Sequence, residues 1–102
     1  MTRPARLAHA ALDEWLSRHT AWTFVDGHLV REVHTPDYRS GAALVHDQVD
    51  LAERLDHHAL LTLGYRELRV EVWTHDRQGI TQLDLEYAEG FDELVARALD
   101  GR

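Results

Sequence analysis

The sequence contains no cysteine, no lysine and no asparagine, and its only serines are Ser17 and Ser40. Without cysteine there can be no disulfide, thiol nucleophile, zinc knuckle or iron–sulfur cluster. Without lysine there can be neither Schiff-base chemistry nor a Walker phosphate loop. Two serines leave little room for a serine nucleophile. These absences exclude several common enzyme classes and direct attention to the eight histidines.

Positive charge and long apolar runs are also scarce. The 102 residues include 18 acidic residues against 11 arginines, which gives a formal net charge of −7 at pH 7. Such a charge opposes direct binding to nucleic acid. No apolar run is long enough for a membrane span, and no signal-like segment is visible, so we expect a cytoplasmic protein with no membrane contact. The length and the 44% hydrophobic content predict one globular domain over residues 1–102.

Hydrophobic periodicity divides the chain into seven elements. The predicted helices cover about residues 6–18, 36–56 and 82–98, and the predicted strands cover 22–25, 28–34, 60–65 and 68–74. This order, α-β-β-α-β-β-α, predicts an α+β domain with a four-stranded antiparallel sheet and three helices on one face. Residues 22–99 form the predicted core, and the first helix precedes it. Because the helices cover only one face, the other face of the sheet or an edge strand would stay exposed unless subunits pair, so we expect a homodimer or homotetramer.

Turn and cap residues set the boundaries of these elements. Asp26-Gly27 between two strand-like runs is typical of a tight hairpin. Thr35 before Pro36 predicts the cap and first residue of the second helix. Thr81 predicts the cap of the last helix.

Three histidines are predicted to meet at one end of the sheet. His57 and His58 end the second helix, and His75 follows the fourth strand. Because a hairpin runs out and back, its start and finish lie together, which places His75 near His58, beside Asp56 and Asp76. Two imidazoles on opposite sides of a small molecule could act as acid and base. The other histidines show no convergent spacing and are expected at the surface.

Two further interpretations of these histidines are open. Histidines at a helix C-terminus often interact with its unpaired carbonyls, which would make the pair structural. Three histidines could also bind zinc. However, His57 and His58 would point about 100° apart if both were helical, so shared coordination is awkward and no metal is expected.

The chain carries several motifs at fixed spacings, namely Glu53, His57-His58, Tyr65, Thr74-His75-Asp76, Gly79-Ile80-Thr81 and Asp84. With these motifs, residues from about Trp22 to Leu99 resemble the pterin-4a-carbinolamine dehydratase family. The resemblance implies a hydro-lyase that dehydrates 4a-hydroxytetrahydrobiopterin to quinonoid dihydropterin, a step in tetrahydrobiopterin recycling. The small-molecule pterin is then the substrate, and the reaction needs no metal or bound cofactor.

The resemblance also implies roles for individual residues. The predicted catalytic residues are His57 and His75, exchanging acid and base roles, and His58, which orients the pterin. The predicted substrate-binding residues are Asp56, Trp73, Thr74 and Asp76. The predicted supporting residues are Glu53, Tyr65 and Asp84.

The chain departs from the family pattern at two places. Ala59, Leu60 and Leu61 stand where the family usually has proline, an acidic residue and an aromatic residue. Trp73 replaces a small hydroxyl residue and could stack on a pterin, fill the pocket or simply cover the sheet. Family members also serve as dimerisation cofactors of a transcription factor. The alternative function is therefore a catalytically weak module that acts through protein–protein contacts.

Overall fold

The seven predicted elements are present in a computed structural model, which describes residues 4–100. The helices are α1 (His9–Arg18), α2 (Tyr38–Leu55) and α3 (Gln82–Val95), and the strands are β1 (Thr23–Val25), β2 (His28–His34), β3 (Leu60–Gly64) and β4 (Glu67–Val72). A 3-10 turn, His75–Arg77, follows β4, and a π-helical turn, Ala96–Asp100, follows α3. Within residues 4–100, no helix combines the length and apolarity needed to cross a bilayer.

The four strands form one antiparallel sheet in the order β1-β2-β4-β3. The strand β4 is central, since it pairs with β2 through Leu29 opposite Val72 and with β3 through Leu61 opposite Val70. This sheet with its three helices confirms the predicted fold class and element order.

One face of the sheet packs against the helices to form the core. This face contributes buried residues of β2 and β4, namely Leu29, Val33, Leu68, Val70 and Val72. The helices contribute Leu12, Trp15, Leu44, Leu51, Ala52, Leu85, Tyr87, Ala88, Phe91 and Val95. The period-two pattern of the strands therefore decides which side chains are removed from water.

Carboxylates of α3 hold the N-terminal part of the chain. The indole Nε1 of Trp15 donates to Glu89 at 2.8 Å, and that of Trp22 donates to Asp92 at 2.9 Å. Asp92 also forms an ion pair with Arg31 of β2. Each buried tryptophan thus has a partner for its only polar atom.

Helix α1 begins at His9 rather than near residue 6, so the predicted start is wrong. The backbone N–H of Leu7 donates to the carbonyl of Ile80 at 2.8 Å, and Arg6 forms a bridge with Thr81. A segment that pairs with a distant part of the chain cannot also make the first turn of a helix, and helical periodicity carries no information about such pairing.

The predicted cap of α2 is also wrong. Asp37 is the cap residue, and its carboxylate accepts a hydrogen bond from the N–H of Ser40 at 2.8 Å. Thr35 is buried instead, and its N–H donates to the carbonyl of Arg66 at 3.0 Å. The backbone of Thr35 is therefore bonded next to the sheet, just after β2. Asp37, the next residue whose side chain can cap a helix, caps α2 instead.

Helices α2 and α3 approach each other closely at Gly90. A Cβ atom there would lie 2.7 Å from Cδ1 of Leu51, closer than packed carbon atoms tolerate. Val49 of α2, on the other hand, is 46% exposed and lies outside the face that packs in the core.

Candidate active site

The β3–β4 hairpin returns the chain to the end of α2, where a cavity of about 210 Å³ opens. Its lining consists of Asp56, His57, His58, Trp73, Thr74, His75 and Asp76. These are the seven residues that the sequence predicts as catalytic or substrate-binding. The fold thus brings them together around one cavity.

The end of α2 sends the two adjacent histidines in different directions. Asp56 adopts the left-handed conformation, with φ 49° and ψ 47°, and ends the helix. The N–H of His57 then donates to the carbonyl of Ala52 at 2.9 Å. As a result His57 is buried and 5% exposed, whereas the side chain of His58 is 57% exposed.

His57 forms a buried pair with Asp84 of α3. The distance from Nε2 of His57 to Oδ1 of Asp84 is 2.6 Å, and Asp84 is fully buried. Because a carboxylate only accepts hydrogen bonds, Nε2 carries the proton. The remaining nitrogen, Nδ1, is then the atom of His57 with a lone pair available for chemistry.

Asp84 is positioned by the first turn of α3. Its Oδ2 accepts hydrogen bonds from the N–H of Thr81 and the hydroxyl of Thr74, both at 2.8 Å. Thr81 caps the helix as predicted, and with Asp84 it forms a capping box. The same carboxylate therefore caps a helix and orients an imidazole.

Thr74 lies beneath the cavity and is only 2% exposed. Its hydroxyl contacts Asp84 and, at 2.9 Å, the hydroxyl of Thr81. This geometry favours a role in fixing Asp84 over the direct substrate contact that the sequence predicts.

The other two histidines of the cavity are exposed. Nε2 of His58 lies 2.6 Å from Oε2 of Glu53, which belongs to the last turn of α2. His75 begins the 3-10 turn after β4 and is exposed to solvent. The site therefore combines one buried imidazole with two that are exposed to solvent.

Trp73 forms a wall of the cavity and does not fill it. Its indole stacks on His28, with ring centroids 3.7 Å apart and planes 7° apart. It also lies 4.7 Å from the ring of His75, tilted by 56°. The cavity of about 210 Å³ remains beside it.

His28 and Glu71 are site neighbours that the sequence analysis missed. His28 was expected at the surface, yet it is half-buried, and its Nδ1 lies 3.2 Å from Oε1 of Glu71. The pairing of Leu29 with Val72 brings His28 opposite Trp73 across the sheet. The alternation of apolar and polar residues shows which face of the sheet each side chain occupies. The residue beside it on the next strand depends on the spatial order β1-β2-β4-β3, which no sequence signal specifies.

Tyr65 is the one predicted site residue that the fold does not bring to the cavity. It lies in the turn between β3 and β4 and is 76% exposed. Because β3 rises by about 3.4 Å per residue, this turn is roughly 17 Å from the cavity end of the hairpin.

Within residues 4–100 there is no group of three or more histidine, aspartate or glutamate side chains that could hold a metal ion. The two adjacent histidines direct Nε2 to different carboxylates, those of Asp84 and Glu53. This arrangement suits proton transfer better than shared coordination.

A larger cavity, of about 510 Å³, lies between α2 and the end of α3. Its polar residues, including His46, Asp47 and Arg97, are exposed side chains on helix surfaces. We take the smaller cavity as the candidate active site because it combines a buried imidazole–carboxylate pair with exposed imidazoles.

Comparison with known proteins identifies the family. The model of the family described as pterin 4 alpha carbinolamine dehydratase matches residues 5–94 of the chain. The chain belongs to this family. The predicted resemblance is therefore confirmed, and membership supports a dehydratase that acts on a pterin.

Individual members of the dehydratase family are similar over most of their length. A protein of Metallosphaera sedula with the provisional name pterin-4-alpha-carbinolamine dehydratase is 36% identical over 89 residues, which is 87% of this chain and 93% of the relative. A protein of Natronomonas pharaonis with the same provisional name is 40% identical over 75 residues, 74% of this chain and 82% of the relative.

A solved structure from the same family has the same fold. The crystal structure described as a transcriptional coactivator/pterin dehydratase from Brucella melitensis has a TM-score of 0.82 and 26% identity. The match covers 87% of this chain and 97% of that chain.

Proposed function

We propose that this protein dehydrates pterin-4a-carbinolamine, 4a-hydroxytetrahydrobiopterin, to quinonoid dihydropterin. The observation that carries the proposal is the buried His57–Asp84 pair at a cavity shared with His58 and His75, in a chain of the dehydratase family. The dehydration is balanced without any other reactant. One proton leaves a ring nitrogen, its electron pair forms a C=N bond, and the 4a-hydroxyl accepts a proton and departs as water.

His57 is the proposed general base. Its Nε2–H is donated to Asp84, which leaves the lone pair of Nδ1 to accept the ring N–H proton. The imidazolium that then forms lies against a buried carboxylate, which stabilises its charge. A base that is oriented before the substrate arrives loses no free energy to reorientation during the reaction.

His75 is the proposed general acid. The hydroxyl is a poor leaving group until it is protonated, so the group that supplies the proton lowers the barrier directly. His75 is exposed and can exchange protons with water between turnovers. Because the two imidazoles belong to different elements, they can face the substrate from different sides.

The remaining residues of the cavity would bind the pterin. His58, held by Glu53, can donate or accept a hydrogen bond at the edge of the ring, and Trp73 offers a flat surface. The cavity of about 210 Å³ is smaller than most enclosed small-molecule sites, which span roughly 300–1,000 Å³. The bound ring would therefore be only partly enclosed, with its departing water next to solvent.

A stopped-flow dehydration assay on the purified protein tests the proposal. One acid–base group typically contributes ~10²–10⁴ to the rate, so His75→Ala should lower turnover by at least tenfold, and His57→Ala/His75→Ala should lower it further. His46→Ala is the matched control, because His46 is an exposed histidine of α2 at the other cavity. A wild-type rate no faster than the uncatalysed reaction would refute the function, and an unchanged His75→Ala rate would remove His75 from it.

The physiological setting is part of the proposal. We place the reaction in tetrahydrobiopterin recycling, carried out in the cytoplasm by a homodimer or homotetramer. Family membership supports this setting, and size-exclusion chromatography with light scattering tests the oligomer.

The second candidate is a weakly catalytic module that acts through protein–protein contacts. Ala59 and Leu61, at the departures from the family pattern, favour it, and the Brucella melitensis relative is described as a coactivator as well as a dehydratase. A pterin analogue that binds the folded state must raise the melting temperature through ligand linkage. The dehydratase predicts such a shift, and no shift at millimolar analogue would favour the module.

A further inference from the structure

Trp73 separates His28 from the candidate active site. The indole lines the cavity together with His57, His58 and His75, whereas His28 does not line it. The imidazole of His28 covers one face of the indole at 3.7 Å, with the two rings nearly parallel. One face of Trp73 is therefore covered by His28, while the indole also lines the cavity.

His28 is itself held in place by charged side chains of the outer sheet face. Its Nδ1 lies 3.2 Å from Oε1 of Glu71, and Oε2 of Glu71 lies 3.4 Å from Nε of Arg69. Arg69 reaches Glu32 on β2 at 2.8 Å. The hydrogen bond to His28 lowers the pKa of Glu71, so this carboxylate is ionised at neutral pH and can accept from the imidazole.

We propose that His28, anchored by Glu71, is a positioning residue that holds the indole of Trp73 as a fixed wall of the cleft, against which the flat ring of the substrate packs. The proposal deepens the proposed function and rests on it for the identity of that ring. It explains why His28, a half-buried imidazole that stacks on a wall of the cavity, is anchored to the carboxylate of Glu71.

A wall residue acts on binding more than on chemistry. Trp73 is half-buried at the end of a sheet, and without His28 its side chain would gain rotamers that extend into the cavity or away from it. A mobile wall weakens the packing of a flat ring. His28 itself does not line the cavity that His57, His58 and His75 share, so its removal should change the proton transfers little.

The kinetic test compares His28→Ala with His28→Phe. Since an aromatic pair contributes a few-fold in equilibrium terms, His28→Ala should raise the KM for the carbinolamine about three- to tenfold, with kcat within about twofold of wild type. His28→Phe keeps a ring against the indole and should restore most of the KM. His34→Ala, on the same strand and face but at its far end, is the control and should leave both constants unchanged.

Two outcomes of the kinetics would overturn the proposal. An unchanged KM in His28→Ala would show that Trp73 needs no support. An equal loss in His28→Ala and His28→Phe would show that stacking on the indole is not the reason His28 matters. The melting temperature of each variant shows whether it is folded under assay conditions.

A spectroscopic test needs no activity at all. Comparing each variant with its Trp73→Phe counterpart isolates the near-UV circular dichroism and acrylamide quenching of Trp73. His28→Ala should reduce the Trp73 band and raise its quenching constant at least twofold, and His28→Phe should keep both near wild type. An unchanged Trp73 signal in His28→Ala overturns the inference, whereas a wild-type protein without dehydratase activity refutes the proposed function alone.

Discussion

Replacing Asp84 by asparagine separates its two tasks, capping α3 and orienting His57. The asparagine carbonyl can take the place of Oδ2 and still accept from Thr81 and Thr74. The amide NH₂ then faces Nε2 of His57, which must become an acceptor, so the imidazole proton moves to Nδ1. The variant therefore keeps its cap while the proposed base loses the lone pair that it needs.

The size of each effect follows from the hydrogen bonds. A hydrogen bond to a charged group contributes about 1.5–3 kcal/mol and one to a neutral group about 0.5–1.5, so each of the bonds from Thr81 and Thr74 should weaken by about 1–1.5 kcal/mol. The two losses together should lower the free energy of unfolding by about 2–3 kcal/mol. For a chain of this length that lowers the melting temperature by roughly 8–24 °C. Turnover should fall much further, by about 10²–10⁴, since a general base is lost.

Thermal unfolding by circular dichroism and stopped-flow dehydration measure the two effects on the same Asp84→Asn sample. Asp92→Asn is the matched control, because Asp92 is another α3 carboxylate with an indole and an arginine as partners. It should be destabilised to a similar degree and keep its turnover within about twofold. If Asp84→Asn keeps more than a third of wild-type turnover, the proton position on His57 is irrelevant to catalysis and the base assignment is refuted.

Two further predictions concern stability. Burial raises the pKa of Tyr87, so above about pH 10 the unfolded chain loses this proton while the folded chain keeps it, and stability falls as the pH rises. Tyr87→Phe should be about 1 kcal/mol less stable than wild type at pH 8, because Gln48 loses its 2.6 Å hydrogen bond from the tyrosine hydroxyl. The difference in melting temperature between wild type and Tyr87→Phe should be smaller at pH 10.5. An equal difference at both pH values would contradict this prediction. Gly90→Ala should destabilise the protein by about 1–3 kcal/mol, as measured by urea titration, because the new methyl group would lie 2.7 Å from Leu51. The better helix propensity of alanine does not offset this clash. A net gain in stability would show that Leu51 can move aside.

The secondary structure could be predicted from the sequence because it depends on local patterns. Period-two alternation in β4 and helical spacing in α2 reflect which face is removed from water, and this holds whatever the neighbour is. The turn at Asp26-Gly27 depends on backbone conformations that few residues adopt, and both residues have positive φ in the structure. The boundaries that failed, at Arg6 and Thr35, are those where a hydrogen bond to a distant segment competes with a local one.

The meeting of His57, His58 and His75 could also be anticipated, since any antiparallel hairpin returns its end to its start. What the sequence left open was how each imidazole is held. His57 is paired with Asp84, 27 residues away. The family resemblance marks Asp84 as a supporting residue, but its place in the capping box does not indicate which imidazole it holds.

The sequence alone determined the element order, the polarity of each face and the set of residues at one end of the sheet, because these follow from periodicity and chain direction. The tertiary structure alone decided that Asp84 fixes the proton of His57 and that His28 stacks on Trp73. Both contacts join segments whose spacing along the chain is arbitrary, and their geometry is set by strand order and helix packing. The burial of apolar surface in the core drives the packing that places these side chains together. Local sequence patterns do not indicate that placement.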